Sequence, residues 1–158
     1  MEEMDRIKTN KNINDFIICQ NCPARIFQKD TDKIKYGQGN LLADYIFILP
    51  IEAYKNKYAK IYLENICWNL ISFDNIYITY HPKCKAESPV EGYADTCKYH
   101  LFNEITKIKP KKLIFFGVDI PEELNNIQIP KFKLNNVLSI YFNNDKLIEI
   151  RNKLIEIL

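Results

Sequence analysis

Short, unbroken apolar runs alternate along this chain with segments whose apolar residues return at helical spacing. "DYIFILP" (44–50) reads as a strand ended by Pro50. "IEAYKNKYAKIYLENICWNLIS" (51–72) places Tyr58, Ile61, Tyr62, Ile66 and Leu70 near a helical stripe and predicts one long or two shorter helices. "NIYITY" (75–80) is β-branched and aromatic, and His81–Pro82 close it as a strand. "YADTCKYHLFNEITKI" (93–108) aligns Leu101, Ile105 and Ile108 on one helical face, with Pro110 just beyond its end. "KKLIFFGV" (111–118) predicts a buried strand ending at Gly117, "PEELNNI" (121–127) a short helix or turn, and "VLSIYF" (137–142) a further strand. "NDKLIEIRNKLIEIL" (144–158) is an amphipathic helix with Asn144 or Asp145 as its N-cap.

This alternation predicts an α/β fold, a three-layer sandwich around a mostly parallel sheet of about four strands. Ligands of such sheets bind at the carboxyl ends of the strands, here Pro50–Glu52, Tyr80–Pro82, Gly117–Asp119 and Phe142–Asn143. No repeat or linker divides the chain, so residues 1–158 are expected to form one domain with an N-terminal cysteine-bearing segment.

Composition narrows the class. Charged residues are 27% and apolar residues 47%, as in a folded globular protein rather than a disordered one. The apolar runs are too short to span a bilayer, and the polar start "MEEMDRIKTNKN" does not read as a signal peptide. A cytoplasmic setting is therefore expected, where thiols stay reduced and cysteines serve metals more often than disulfides. The net charge is only +2, yet lysines cluster in "KNKYAK" (55–60), "HPKCK" (81–85), "KPKK" (109–112) and "KFK" (131–133). Such clusters are either solvated surface or a phosphate-binding face.

The cysteines carry the sharper signal. Cys67, beside Trp68 in an apolar helical segment, reads as a small core residue. The other four form a pattern: Cys19 and Cys22 in "CQNC", then Cys84 after a strand and Cys97 near a helix start. A helix N-terminus favours the thiolate form. Four thiolates from two separated segments suit tetrahedral zinc or an iron–sulfur cluster, and spacing does not choose between them.

The order "CQNC", "GQGNLLADYIFI", "DNIYITYHPKCK" and "CKYHLFNEITKIKPKKLIFFG" resembles the family 4 uracil-DNA glycosylases over roughly residues 16–120. The resemblance implies the glycosylase fold and a 4Fe-4S cluster held by Cys19, Cys22, Cys84 and Cys97, with zinc as the alternative. It also implies DNA as partner and a role in DNA repair.

The family's chemical motifs are replaced. Where its first catalytic loop carries two glycines and an acid after the first strand, this chain reads "ILPIEAYK", and Glu52 is the nearest carboxylate. No segment matches the family's stacking aromatic; Tyr54 and Tyr58 are nearest. Tyr80 stands in place of the asparagine that reads uracil, and "SIYFNND" replaces the His-Pro-Ser motif, leaving Asn143 as a polar substitute. His81 and His100 read as surface histidines.

The expectation is thus a cluster-bearing protein of glycosylase fold that has lost base excision. It would act as a DNA-binding or protein-interaction module, with single-stranded or distorted DNA preferred because base flipping costs least there. Lys83, Lys85, Lys111 and Lys112 are its candidate DNA contacts. The alternative is an active glycosylase, with Glu52 and Asn143 positioning water and Tyr80 and Gly39 lining the base pocket. A third reading is a zinc or iron–sulfur module with no nucleic-acid role.

Overall fold

The computed structural model describes Lys35, residues 37–83 and residues 93–158, with side chains from Cys97 onward in the last range. Its frame is a mixed sheet of β1 (Gln38–Gly39), β2 (Tyr45–Leu49), β3 (Ile76–Tyr80), β4 (Lys112–Phe116) and β5 (Lys131–Leu134). Among the described residues, three α-helices accompany it: α1 (Lys57–Cys67), α2 (Tyr93–Ile108) and α3 (Asp145–Ile157). The strand order is β1-β3-β2-β4-β5. β1 pairs antiparallel with β3, while β3, β2, β4 and β5 run parallel to one another. The fold is therefore α/β.

The unbroken apolar runs follow from burial on both sheet faces. Phe47 and Leu49 of β2, with Ile114 and Phe116 of β4, pack under Leu63 and Ile66 of α1 and Ile150 and Leu154 of α3. Ile46, Ile48, Leu113 and Phe115 point the other way, onto Leu101, Ile105 and Ile108 of α2. Phe47 and Phe116 meet edge to face, with ring centroids 5.1 Å apart. Truncating either ring to alanine would cost about 3–5 kcal/mol.

Several elements differ from the sequence reading, each for a local reason. The 51–72 segment splits into a 3-10 turn, Ile51–Ala53, and α1. The break falls at Lys55, whose φ is 52°, and at Asn56, whose side chain accepts from the N–H groups of Tyr58 and Ala59. The buried stripe of α1 is Ala59, Leu63, Ile66 and Cys67, whereas Tyr58 and Ile61 are exposed. "VLSIYF" is a 3-10 helix, Val137–Tyr141, started by Asn136 accepting from Leu138 N–H. The last strand is "KFKL" instead, which shows little apolar signal because only Leu134 of its residues is fully buried. The expected sheet of four strands thus has five described strands, and the edge pair β1·β3 makes it mixed. At α3, Asn144 is the N-cap position but its side chain makes no capping bond; Asn143 Oδ1 accepts from Asp145 N–H at 3.1 Å.

The chain leaves β2 through α1 to reach β3, then crosses back through α2 to β4 on the far side of β2. α1 and α2 cover opposite faces, so the direction of winding reverses at β2. That reversal opens a crevice beyond the carboxyl ends of β2 and its neighbours.

Candidate functional site

β2 ends at Leu49 and runs through Pro50 into the 3-10 turn. Ile51 and Ala53 of that turn are buried, and Glu52 between them faces solvent. An apolar plug therefore occupies the end of β2. Beside it, the Tyr54 and Tyr80 rings meet edge to face at 5.4 Å. Burial, and then the neighbouring Tyr54, raise the Tyr80 hydroxyl above its ordinary pKa, so it stays a neutral donor. The ammonium groups of Lys35 and Lys55 sit 5.3 Å and 5.6 Å from the centre of the Tyr54 ring.

From this corner a groove of about 1330 Å³ runs down the flank of α1. Its floor includes Leu63, Ile78 and Tyr80, and its lower end is the loop after α1, with Trp68 and Phe73. Trp68 is 70% exposed and Phe73 40% exposed. Lys55, Lys57 and Lys60 line the groove against one carboxylate, Glu64. Glu52 and Asn143 lie outside its lining.

A second corner forms where β3 ends. The backbone N–H of Lys83 donates to Cys97 Sγ at 3.1 Å, and the thiol is buried. Lys83 itself is 1% exposed. Its ammonium pairs with Glu104 of α2 and donates to Thr79 Oγ1 and, at 2.8 Å, to the Tyr80 carbonyl. Glu104 also accepts from the Tyr77 and Thr79 hydroxyls at 2.8 Å. Burial, and then the charge of Glu104, push the Tyr77 phenol well above its usual range. Lys83 was expected to face DNA; its ammonium is instead spent inside the fold.

The metal-site expectation rests on this second corner. Cys19, Cys22 and Cys84, together with Lys85, lie outside the described residues. Cys84 directly follows Lys83 in the chain. Lys35 N–H donates to the Lys83 carbonyl at 2.6 Å at the same corner. A buried sulfur accepting a backbone N–H suits a thiolate ligand, because the bond stabilises its charge and orients it. Cys97, the one expected ligand among the described residues, therefore fits such a site. Among the described residues alone, no group of three or more His, Cys, Asp or Glu is placed to hold a metal.

The remaining expected residues scatter. Lys111 and Lys112 lie at the amino ends of the parallel strands, opposite Tyr80. Lys111 pairs with Asp44 at 3.4 Å, and Lys112 donates to the Ile157 carbonyl at 2.6 Å, neutralising the C-terminal end of α3. They do not share a face with Lys83. Gly39 has φ 135°, and a Cβ there would stand 2.4 Å from the Ile76 carbonyl oxygen. Close pairing of β1 with β3 accounts for this glycine without a ligand. Asn143 serves the start of α3. His81 and His100, read as surface residues, are buried. Cys67 is buried as expected, and burial pushes its thiol up to about 12, with Arg151 partly offsetting.

Sequence reasoning noticed the 55–60 lysines but not their partners. Trp68 and Phe73 follow the helix end as isolated aromatics, and only the fold sets them along one groove with those lysines. No protein-family profile matches the chain, and no curated protein matches it in sequence.

Proposed function

We propose that this chain is a uracil-DNA glycosylase-like protein that holds a 4Fe-4S cluster through Cys19, Cys22, Cys84 and Cys97 and does not excise uracil. It acts as a binding module, with DNA as its partner.

The observation that carries the loss of chemistry is the plugged end of β2. Excision needs a carboxylate or a positioned water beside the sugar and a polar donor at the leaving base. Here Ile51 and Ala53 fill the strand end, and Glu52 points out of the groove. Tyr80 is packed edge to face against Tyr54. The parallel order β3-β2-β4-β5 and the Lys83–Cys97 corner support the fold and cluster halves of the reading. When bound, the cluster supplies a cross-link between the N-terminal cysteine pair and the β3–α2 connection. This chain's own contribution is to hold Cys97 buried and oriented by the Lys83 N–H.

Metal analysis and a visible absorption spectrum of protein purified without oxygen test the cluster. Iron with sulfide-to-iron charge-transfer bands is the expected result. Zinc in place of iron would assign the alternative metal, and a metal-free folded protein would overturn the reading.

A further inference from the structure

We propose that the groove along α1 is a binding site for single-stranded nucleic acid, with bases stacked on Trp68 and phosphates held by Lys57 and Lys60. This deepens the proposed DNA-binding role and rests on it, but it uses none of the residues that the strand-end motifs would supply.

Lys57 and Lys60 are three residues apart on α1, so both stand on the same flank of the helix. With Lys55 they outnumber the single lining carboxylate, Glu64. A concave surface with an excess of positive charge attracts a polyanion. The floor is apolar, and a large, mostly exposed indole stands at one end. Lysine rail, apolar floor and exposed aromatic are what a single strand requires: charge for its backbone and flat π-faces for its unpaired bases. A duplex would keep its bases stacked inside and leave Trp68 idle.

The platform is also rigid. Arg151 of α3 donates to the carbonyls of Ile66 and Trp68 at 2.9 Å and 2.6 Å, fixing the end of α1. Asn69 next takes a left-handed φ of 58°, and Leu70 N–H returns to the Cys67 carbonyl at 2.9 Å. A side chain presented from such a clamped turn loses little further freedom on binding. The 11 residues of α1 give the groove a length of about 16 Å, enough for a short stretch of strand.

The test exploits the fact that Trp68 is the sole tryptophan in the chain. Oligothymidylate is titrated into the cluster-loaded full chain while tryptophan emission is followed, with anisotropy of a labelled oligonucleotide as a parallel readout. Quenching that saturates and weakens with salt is expected. Lys57→Gln/Lys60→Gln should reduce the slope of log affinity against log salt by about 1.4, at about 0.7 per single-strand phosphate contact. Trp68→Ala should weaken binding about tenfold or more by anisotropy. Lys153→Gln, on the exposed side of α3, should change neither, and circular dichroism confirms that each variant is folded.

Binding by anisotropy with unchanged emission and no effect of the lysine pair would overturn the groove while leaving DNA binding intact. Absence of binding at low salt would overturn both the groove and the DNA-binding role. Equal quenching and competition by polyglutamate would assign the groove to an acidic polypeptide instead.

Discussion

The Lys83 backbone N–H and the Cys97 sulfur, 3.1 Å apart, tie the end of β3 to the first turns of α2. One residue later in the chain stands Cys84. That hydrogen bond thus orients Cys97, one of the four ligands of the proposed cluster site.

Cys97→Ser should lower bound iron to background and remove the visible absorption, because the proposed site then offers three thiolates. Cys67→Ala should leave both unchanged, since Cys67 lies in the core under α1. Iron content per folded chain, measured side by side, checks the contrast. Equal loss in both variants would detach Cys97 from the site.

The same Lys83 carries a second consequence through its side chain. Its ammonium and the Glu104 carboxylate share a corner with the Tyr77 and Thr79 hydroxyls. Lys83→Met leaves Glu104 with a part-buried, uncompensated charge and should cost about 1–3 kcal/mol in unfolding free energy. Adding Glu104→Gln should restore part of that loss, because the amide can still accept from Tyr77 without a charge to shelter. Denaturant unfolding of the single and double variants reads this directly. Additive losses would mean that the two groups do not act as a pair.

Gly39→Ala separates a backbone role from a ligand role. With φ at 135° and the Ile76 carbonyl 2.4 Å from the added Cβ, the variant should lose about 1–3 kcal/mol of stability. Oligonucleotide affinity of the folded fraction should not change. A stable variant with weakened binding would return Gly39 to the ligand-contacting set.

Alkaline stability carries the signature of Cys67. Its thiol is pushed from 9.0 to about 12, with burial as the main cause. The folded state thus keeps this proton where the unfolded chain loses it. The stabilisation is fully present below pH 9 and drains as pH rises toward 12, at a limiting rate of about 1.4 kcal/mol per pH unit. Between pH 9 and 11, Cys67→Ala should therefore show a flatter loss of stability than the parent. Parallel curves would show that the thiol titrates normally in the fold.

Much of the frame was legible because it rests on patterns that burial alone enforces. Strands covered on both faces must be continuously apolar, so β2 and β4 stand out in the sequence. The stripe of Leu101, Ile105 and Ile108 equally marked α2. What failed were elements set by tertiary context. β5 alternates lysine with apolar residues at the sheet edge and reads as a surface cluster, while "VLSIYF" has strand-like residues but is turned into a 3-10 helix by Asn136. The site was less legible than the frame. Lys83 reads like the other clustered lysines until Glu104, 21 residues later, supplies it with a partner inside the fold. Trp68 and the 55–60 lysines belong to one groove only because α1 turns them toward it.

The claim that the fold has outlived its chemistry is tested most directly by uracil release. Cluster-loaded protein, in excess over single-stranded uracil-containing DNA, is incubated and free uracil is quantified. No release above the buffer control is expected. Release that a Glu52→Ala variant abolishes, with its absorption spectrum unchanged, would contradict it and place a rebuilt active site at the end of β2.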